Sequence, residues 1–149
     1  MNKKIILSVI IPCYNEEKNL PELAERIIKT FAMKNIDGEI VFVDDASEDG
    51  THGAMRRIAD EYGTAIIIKK HDQNKGLFEA WKTGIKYAQG EYVCFIDADL
   101  QNLPEDIASL YEEIHFTHAD MVQGYRSSIG RVKNSRYYLS WGLNLLLNL

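Results

Sequence analysis

Short apolar segments that alternate with stretches of helical spacing constrain the fold of this chain more than any other feature of its sequence. The apolar segments, at 5–11, 40–43, 65–68, 92–96 and 121–122, are mostly rich in β-branched residues. Between them, apolar residues recur three and four positions apart, which is the period of an amphipathic helix. Alternating strands and helices are typical of a mainly parallel sheet with helices on both faces. We therefore expect an α/β fold with the order βαβαβαβαβ.

The first helix has the clearest sequence signals. Asn19 is a favourable N-cap residue, Pro21 suits the first helical turn, and Glu22 stands three residues after Asn19. This spacing predicts a capping box, in which each side chain accepts a hydrogen bond from the other residue's backbone. We expect this helix to begin at about Leu20.

Length, charge and cysteine content narrow the function classes. A chain of 149 residues fits one domain with its own core. Its net charge of -5 at pH 7 argues against a nucleic-acid partner, since such proteins normally carry a basic excess. Cys13 and Cys94 lie in predicted strands without metal-ligand spacing, and the first residues lack the features of a signal peptide. We therefore expect a cytoplasmic protein with buried, reduced thiols.

The last part of the chain differs in character from the rest. Residues 1–126 form the predicted domain, whereas 127–149 begin with a basic loop and continue into a strongly apolar stretch from 137 to 149. Ser140, Asn144 and Asn148 recur every four residues there, which predicts an amphipathic helix, and we expect this helix to be truncated. This helix is too short to span a bilayer. It fits either an interfacial helix lying on a membrane or a core helix that lacks its covering partner.

Two aspartates follow the fourth predicted strand. In open parallel sheets, ligands bind beyond the carboxyl ends of the strands. Asp97 and Asp99 can converge there on one hard cation, Mg²⁺ or Mn²⁺, and Gln101 can add a neutral oxygen ligand. An isolated pair of this kind more often caps the following helix. Here, however, other polar strand ends accompany it.

The first and second predicted strands also end in polar residues. Asp44 and Asp45 follow a buried run, where adjacent carboxylates need hydrogen-bond donors. The base and ribose of a nucleoside offer such donors. Tyr14 and Glu16, after the first strand, fit the wall of a base pocket or an ordinary strand-to-helix corner. The polar residues at 47–51 fit ordinary turn and capping chemistry.

Four motifs occur together at successive strand ends. They are PCYNE at 12–16, VDDASEDGT at 43–51, NKG at 74–76 and DADLQNLPED at 97–106. In this order and spacing the chain resembles the family 2 glycosyltransferases of the GT-A fold. The DADLQ form, followed by Pro104 and Glu105, looks most like the dolichyl- or polyprenyl-phosphate sugar synthases.

The resemblance implies a role for each matching residue. The cation that bridges the donor diphosphate would be held by Asp97, Asp99 and Gln101, with Asp97 also contacting the donor and Asp99 counted as catalytic. Arg126 and Arg136 would meet donor or acceptor phosphates as further catalytic residues, and Arg131 aligns less securely. The nucleotide-sugar would be bound by Pro12, Tyr14, Glu16, Asp44, Asp45 and Asn74.

The resemblance also implies the reaction. A nucleoside-diphosphate sugar would donate its sugar, with inversion, to a polyprenyl phosphate at the inner face of the membrane. A phosphate acceptor is already ionised and needs no general base, which suits a chain without a third acidic motif. The alternatives are a glycan or other hydroxyl acceptor, or a truncated nucleotide- and metal-binding module without transfer activity.

Other enzyme and metal-site classes fit the sequence poorly. A P-loop enzyme requires GxxxxGK[ST], and a haloacid-type phosphatase requires paired aspartates after its first strand; the chain has neither. Four histidines show no metal-ligand spacing, so we interpret them as ordinary surface or helix-end residues: His52, His71, His115 and His118.

Overall fold

The computed structural model of the protein describes residues 4–124 and 145–148. In chain order the elements are β1 (Leu7–Cys13), α1 (Leu20–Lys34), β2 (Gly38–Asp44), α2 (Thr51–Tyr62), a 3₁₀ turn (Gly63–Ala65), β3 (Ile66–Lys70), α3 (Leu77–Tyr87), β4 (Tyr92–Phe95), α4 (Asp106–Thr117), β5 (Met121–Gln123) and β6 (Leu145–Asn148). Every predicted strand and helix up to residue 123 is therefore present.

The strands form one mixed sheet in the order β3-β2-β1-β4-β6-β5. The pairs β1/β2, β2/β3 and β1/β4 are parallel, and β6 is antiparallel to both β4 and β5. The prediction of a mainly parallel sheet is confirmed for the four adjacent strands β3, β2, β1 and β4.

Helices cover both faces of the sheet, as predicted. Alternate residues of β1 enter different cores: Val9 and Ile11 belong to the larger core, which contains apolar residues of α1, α2 and α4, and Ile10 belongs to the smaller core beneath α3. Trp81 of α3 packs against Phe95 with ring centroids 5.3 Å apart, so it is a core residue. The sheet is thereby the middle layer of three.

The start of α1 differs from the prediction. The helix begins at Leu20, but the Asn19 side chain makes no capping hydrogen bond. Instead its Nδ2 donates to Glu16 Oε2 at 2.7 Å, and the Glu16 carbonyl accepts the N–H groups of Asn19 and Leu20. The predicted capping box is wrong because Asn19 has αR backbone angles, whereas a capping residue usually has extended ones.

The predicted helix over 137–149 is wrong at its C-terminal end. Leu145–Asn148 form β6, which inserts between β4 and β5. Spacing alone does not separate a strand from a buried helix in a short apolar run, and here two neighbouring strands supply hydrogen-bond partners on both sides. The remainder of the predicted helix, and Arg126, Arg131 and Arg136, lie outside the described residues. Within the described ranges, none of the helices has the length and apolar character needed to cross a membrane.

A buried carboxylate orders the edge of the sheet at the amino ends of the parallel strands. Glu39 accepts hydrogen bonds from Ser8 Oγ (2.6 Å), the Gln89 N–H (2.7 Å) and Gln89 Nε2 (3.2 Å). The Gly90 N–H donates to the same Ser8 hydroxyl at 2.8 Å. This network fixes the loop between α3 and β4 at the edge opposite the polar strand ends.

Candidate functional site

A crevice opens where β1 and β4 separate. The two strands pair only as far as Ile10 and Phe95, after which β1 continues alongside β2 to Cys13. Pro12, which has no N–H to donate, stands beyond the last residue of β1 that pairs with β4. Because strand order reverses direction between β1 and β4, this is the position where open α/β sheets bind ligands. The DADLQ motif follows β4 directly at this edge.

The loops after β1 and β2 are joined by hydrogen bonds. The Asn15 N–H donates to Ser47 Oγ at 3.1 Å, and Asn15 Oδ1 accepts the Glu48 N–H at 2.9 Å. The Glu16 N–H donates to Thr51 Oγ1 at 2.8 Å. Asn15 has a positive φ of 57°, a conformation that asparagine tolerates better than most residues. The PCYNE and VDDASEDGT motifs therefore form one structural unit, and Asn15 is a residue that the sequence interpretation missed.

Asp49 completes this unit at the start of α2. The Thr51 hydroxyl and N–H donate to its carboxylate, as does the Glu17 N–H, at 3.3 Å. These hydrogen bonds, led by the one from the Thr51 hydroxyl, hold the pKa of Asp49 below its ordinary value although burial opposes them. The expected turn chemistry of this segment is confirmed, whereas the N-cap residue of α2, Gly50, makes no side-chain capping hydrogen bond.

Asp44, at the end of β2, is fully buried. Its Oδ1 accepts the Ser47 N–H at 2.8 Å. Its Oδ2 lies 3.4 Å from His52 Nδ1 and 3.6 Å from Lys70 Nζ, but makes no hydrogen bond. A buried carboxylate oxygen without a hydrogen bond costs on the order of 1–3 kcal/mol, so it marks a site that a ligand donor could satisfy.

Asp45 faces different partners from those of Asp44. Its Oδ1 accepts the Lys75 N–H at 2.9 Å and lies 2.7 Å from His71 Nδ1, and its Oδ2 accepts the Gly76 N–H at 2.7 Å. Burial by itself raises the pKa of Asp45, but the hydrogen bonds from Lys75, His71 and Gly76 together hold it below the ordinary value. Asp44 therefore binds the loop after β2, whereas Asp45 binds the turn before α3.

His71 is a second residue that the sequence interpretation missed. It is only 7% exposed, so its interpretation as a surface or helix-end residue is wrong. Its ring bridges Asp45 and Thr83, with Nε2 2.8 Å from Thr83 Oγ1. The available signal was its position immediately after β3, at the same edge of the sheet as Asp44 and Asp45.

The loop after β4 carries the predicted cation ligands. Asp97 and Asp99 are half-buried and Gln101 is exposed. Asp99 Oδ1 accepts the Gln101 N–H at 3.0 Å, and the positive φ of Leu100 turns the chain between them. Within residues 4–124 and 145–148, no group of three or more His, Cys, Asp or Glu side chains is arranged to hold a metal ion. The pair would therefore share a cation with oxygens from elsewhere, as Mg²⁺ sites commonly share it with phosphates.

An ion pair anchors the far end of this loop. Arg26 of α1 donates from Nε and Nη2 to the two carboxylate oxygens of Glu105, at 2.8 and 2.6 Å. This bidentate contact holds the pKa of Glu105 below its ordinary value, although burial opposes it. The segment that joins the DADLQ motif to α4 is thereby fixed to α1.

The predicted nucleoside-binding residues are gathered at the same edge. Tyr14 is 45% exposed just beyond β1, and Glu16 is half-buried beside Asn19. Asn74 lies in the turn before α3, where its Oδ1 accepts the Gly76 N–H at 3.1 Å. The fold thus brings the four motifs together, from the end of β3 to the end of β4.

Comparison with known proteins identifies the family. The model of "Glycosyl transferase family 2" matches residues 8–147, nearly the whole chain. This protein belongs to glycosyl transferase family 2. The family predicted from the four motifs is confirmed.

Two curated relatives of this family-2 chain are bacterial. The dodecaprenyl-phosphate galacturonate synthase of Rhizobium johnstonii is 32% identical over 141 residues, covering 95% of the chain and 42% of the relative. The undecaprenyl-phosphate 4-deoxy-4-formamido-L-arabinose transferase of Pseudomonas paraeruginosa is 35% identical over 136 residues, covering 91% and 38%. The chain thus spans about two fifths of the length of these relatives.

A solved structure supports the fold. The mannosyltransferase PcManGT from Pyrobaculum calidifontis, in complex with GDP-Man and Mn²⁺, superimposes with a TM-score of 0.74 at 24% identity. The match covers 99% of the family-2 chain and 45% of the mannosyltransferase. The predicted GT-A fold is confirmed.

Proposed function

We propose that this chain is the donor-binding part of an enzyme that transfers a sugar from a nucleoside-diphosphate sugar to a polyprenyl phosphate, with inversion. The observation that carries the proposal is the position of Asp97 and Asp99 beside the crevice between β1 and β4. Membership of family 2 and the names of the two bacterial relatives support the reaction class and the acceptor. Because the chain spans only part of those relatives, the proposal concerns the whole protein.

The nucleoside would lie over the ends of β1, β2 and β3. Tyr14, Glu16 and Pro12 would form its walls, and Asn74 would approach it from the turn before α3. Asp44 remains the candidate for the base or ribose contact, since Oδ2 makes no hydrogen bond. That contact requires the side chains around Oδ2 to move, and Lys70, about half exposed, has room to do so.

The diphosphate would lie over the end of β4. Asp97, Asp99 and Gln101 would hold a divalent cation, Mg²⁺ or Mn²⁺, for which half-buried carboxylates at a strand end are suitable ligands. When bound, the cation supplies positive charge for the leaving diphosphate. The protein's part is to keep the carboxylates in place. The Asp99–Gln101 turn holds Asp99, and the Arg26–Glu105 pair fixes the far end of the loop.

A phosphate acceptor is compatible with the acidic residues proposed above, none of which is assigned as a general base. The phosphate of a polyprenyl phosphate is ionised at neutral pH, so it can attack the sugar without a general base. Arg126 and Arg136 would meet the phosphate charges. Since a polyprenyl chain resides in a bilayer, the reaction would take place at a membrane surface, and we propose that this is the cytoplasmic one.

Calorimetric titration tests the donor site. UDP and GDP are each titrated, with and without Mn²⁺, into the wild type, Asp99→Ala and the control Asp60→Ala, which removes an exposed carboxylate of α2. We expect Mn²⁺ to strengthen binding of one nucleotide in the wild type and the control. The Mn²⁺ effect should fall at least tenfold in Asp99→Ala, the size expected when a metal ligand is lost.

Transfer of radiolabelled sugar then separates the acceptor classes. The proposal predicts a labelled lipid with undecaprenyl phosphate and none with a glycan acceptor. Labelled glycan would instead establish the hydroxyl-acceptor alternative. Metal-dependent nucleotide binding by the full-length protein with no transfer to either would establish a binding module, and a folded wild type that binds neither nucleotide would refute the donor site.

A further inference from the structure

The buried Asp45–His71 pair has contacts unlike those of a ligand-binding pair. The Asp45 side chain is 6% exposed and that of His71 is 7% exposed. Asp45 has three donors inside the protein: the His71 ring and the N–H groups of Lys75 and Gly76. Because these donors occupy both of its carboxylate oxygens, Asp45 is already satisfied without a donor sugar-nucleotide.

The hydrogen bonds also fix the orientation of the histidine ring. A carboxylate that accepts two backbone N–H groups is stabilised in its ionised form, so it can only accept from His71 Nδ1. In the neutral ring, Nε2 then accepts from the Thr83 hydroxyl of α3, at 2.8 Å. The ring is therefore held at both nitrogens, one toward the end of β2 and the other toward α3.

The contacts of Asp45 determine the position of the turn 74–76. This turn lies between β3 and α3, and its Lys75 and Gly76 N–H groups both donate hydrogen bonds to Asp45. The negative charge lies at the N-terminus of α3, where it is favoured by the helix dipole. Asn74 belongs to the same hydrogen-bond network, since its Oδ1 also accepts the Gly76 N–H. Asp45 and His71 thus fix the position of the turn relative to the end of β2.

We propose that Asp45 and His71 are positioning residues of the donor site, which hold the turn 74–76 against the nucleoside and do not touch the donor themselves. This inference rests on the proposed function, and it replaces the predicted donor contact of Asp45 with an indirect role. The turn donates to Asp45, directly after the end of β2, and β2 is separated from β4 by β1. Asp45 and His71 therefore act on the nucleoside half of the donor and not on the cation half.

This separation predicts how nucleotide binding depends on Mn²⁺, and the exchange of amides outside the turn distinguishes the predicted effect from general loss of structure. Loss of the turn weakens nucleotide binding by the same factor with and without Mn²⁺, whereas Asp99→Ala abolishes only the gain from Mn²⁺. We expect His71→Leu and Asp45→Asn to weaken binding roughly tenfold in both conditions, as loss of an outer-shell partner commonly does. His71→Asn keeps a donor near the position of Nδ1 and should restore most of the affinity.

The experiment combines nucleotide titration with amide hydrogen exchange on the ligand-free protein. The variants are His71→Leu, His71→Asn, Asp45→Asn and, as a matched control, His118→Asn, which changes an exposed histidine with positive φ. Faster exchange at Lys75 and Gly76 in His71→Leu, with other protected amides unchanged, together with Mn²⁺-independent weakening and recovery in His71→Asn, supports the proposal.

Three results would overturn it. Wild-type affinity in Asp45→Asn or His71→Leu shows that the turn needs no positioning. Weakening confined to the Mn²⁺ condition places Asp45 with the cation ligands. Failure of His71→Asn to restore the affinity removes the role of the Nδ1 donor. Absence of nucleotide binding in the wild type refutes the proposed function, while the exchange of Lys75 and Gly76 still reports whether Asp45 and His71 hold the turn.

Discussion

Gly76→Ala is a sharp test of the turn before α3. Gly76 has φ 84° and ψ 167°, a combination that residues with a side chain rarely adopt. A Cβ atom built at this position meets no atom within 4 Å, so the substitution adds no steric clash. Its whole effect must therefore come from backbone strain and from any loss of the hydrogen bond to Asp45.

The expected cost follows from these two contributions. Holding alanine in this region costs about 1–3 kcal/mol. In a chain of this size, each kcal/mol lowers the melting temperature by roughly 2–4 °C. We therefore expect the melting temperature to decrease by about 2–12 °C. If the turn escapes the strain by changing conformation, the Gly76 N–H leaves Asp45 and nucleotide binding weakens as well.

Gly53→Ala supplies the matched comparison. Gly53 lies in α2 without a positive φ, and its Cβ would meet only Arg57 Nη1, at 3.5 Å. Alanine should stabilise this helix by up to about 1 kcal/mol because it restricts the unfolded chain. Thermal denaturation gives the melting temperature of both variants and urea denaturation their free energy of unfolding, each followed by circular dichroism. Equal stability changes in the two, or no change in Gly76→Ala, would show that the strain argument is mistaken.

Three further predictions concern buried or paired charges. The pKa of Asp45 lies below its ordinary value of 3.8, so the stabilising effect of the Asp45 carboxylate is complete above pH 3.8 and is lost as pH falls through the lower pKa of the folded state. When the free energy of unfolding is measured against pH, Asp45→Asn should therefore show a shallower decline below about pH 4 than the wild type. Arg26→Ala should cost about 0.5–1 kcal/mol in low salt and less in 1 M NaCl, since Glu105 is about half exposed, and a salt-independent loss would contradict an ionic origin. Glu39→Gln should lower the free energy of unfolding, measured by urea denaturation, by about 1–3 kcal/mol. Nucleotide affinity should stay unchanged, because Glu39 and its hydrogen-bond partners lie at the edge of the sheet opposite the motifs. A changed affinity would show that the two edges are not independent.

The sequence allowed the fold and the edge of the sheet to be predicted, because both follow from local patterns. Strands covered on both faces require continuous apolar runs, and amphipathic helices require spacing of three and four, so the alternation specified the α/β class. Polar residues after successive parallel strands must meet at one edge. Asp97, Asp99 and Tyr14 could be placed there without knowing any contact.

The sequence could not separate residues that look alike locally. Asp44 and Asp45 are neighbours of the same type, yet one binds Ser47 of its own loop and the other binds the turn 74–76. His71 carries no local signal of burial. Its role depends on Thr83, twelve residues away on α3. Such assignments depend on which side chains tertiary packing brings within hydrogen-bond distance.

The strand at Leu145–Asn148 is a second case in which tertiary contacts decided what the sequence left open. Its apolar residues allowed either a helix or a strand, since periodicity alone is ambiguous in a short apolar run. The backbone groups of β4 and β5 decided between them, because a strand placed there pairs on both sides. The sequence by itself determined the fold class, the family and the edge that carries the motifs. Only the tertiary structure decided which polar groups satisfy one another, because hydrogen bonds between distant residues depend on distances that no local pattern contains.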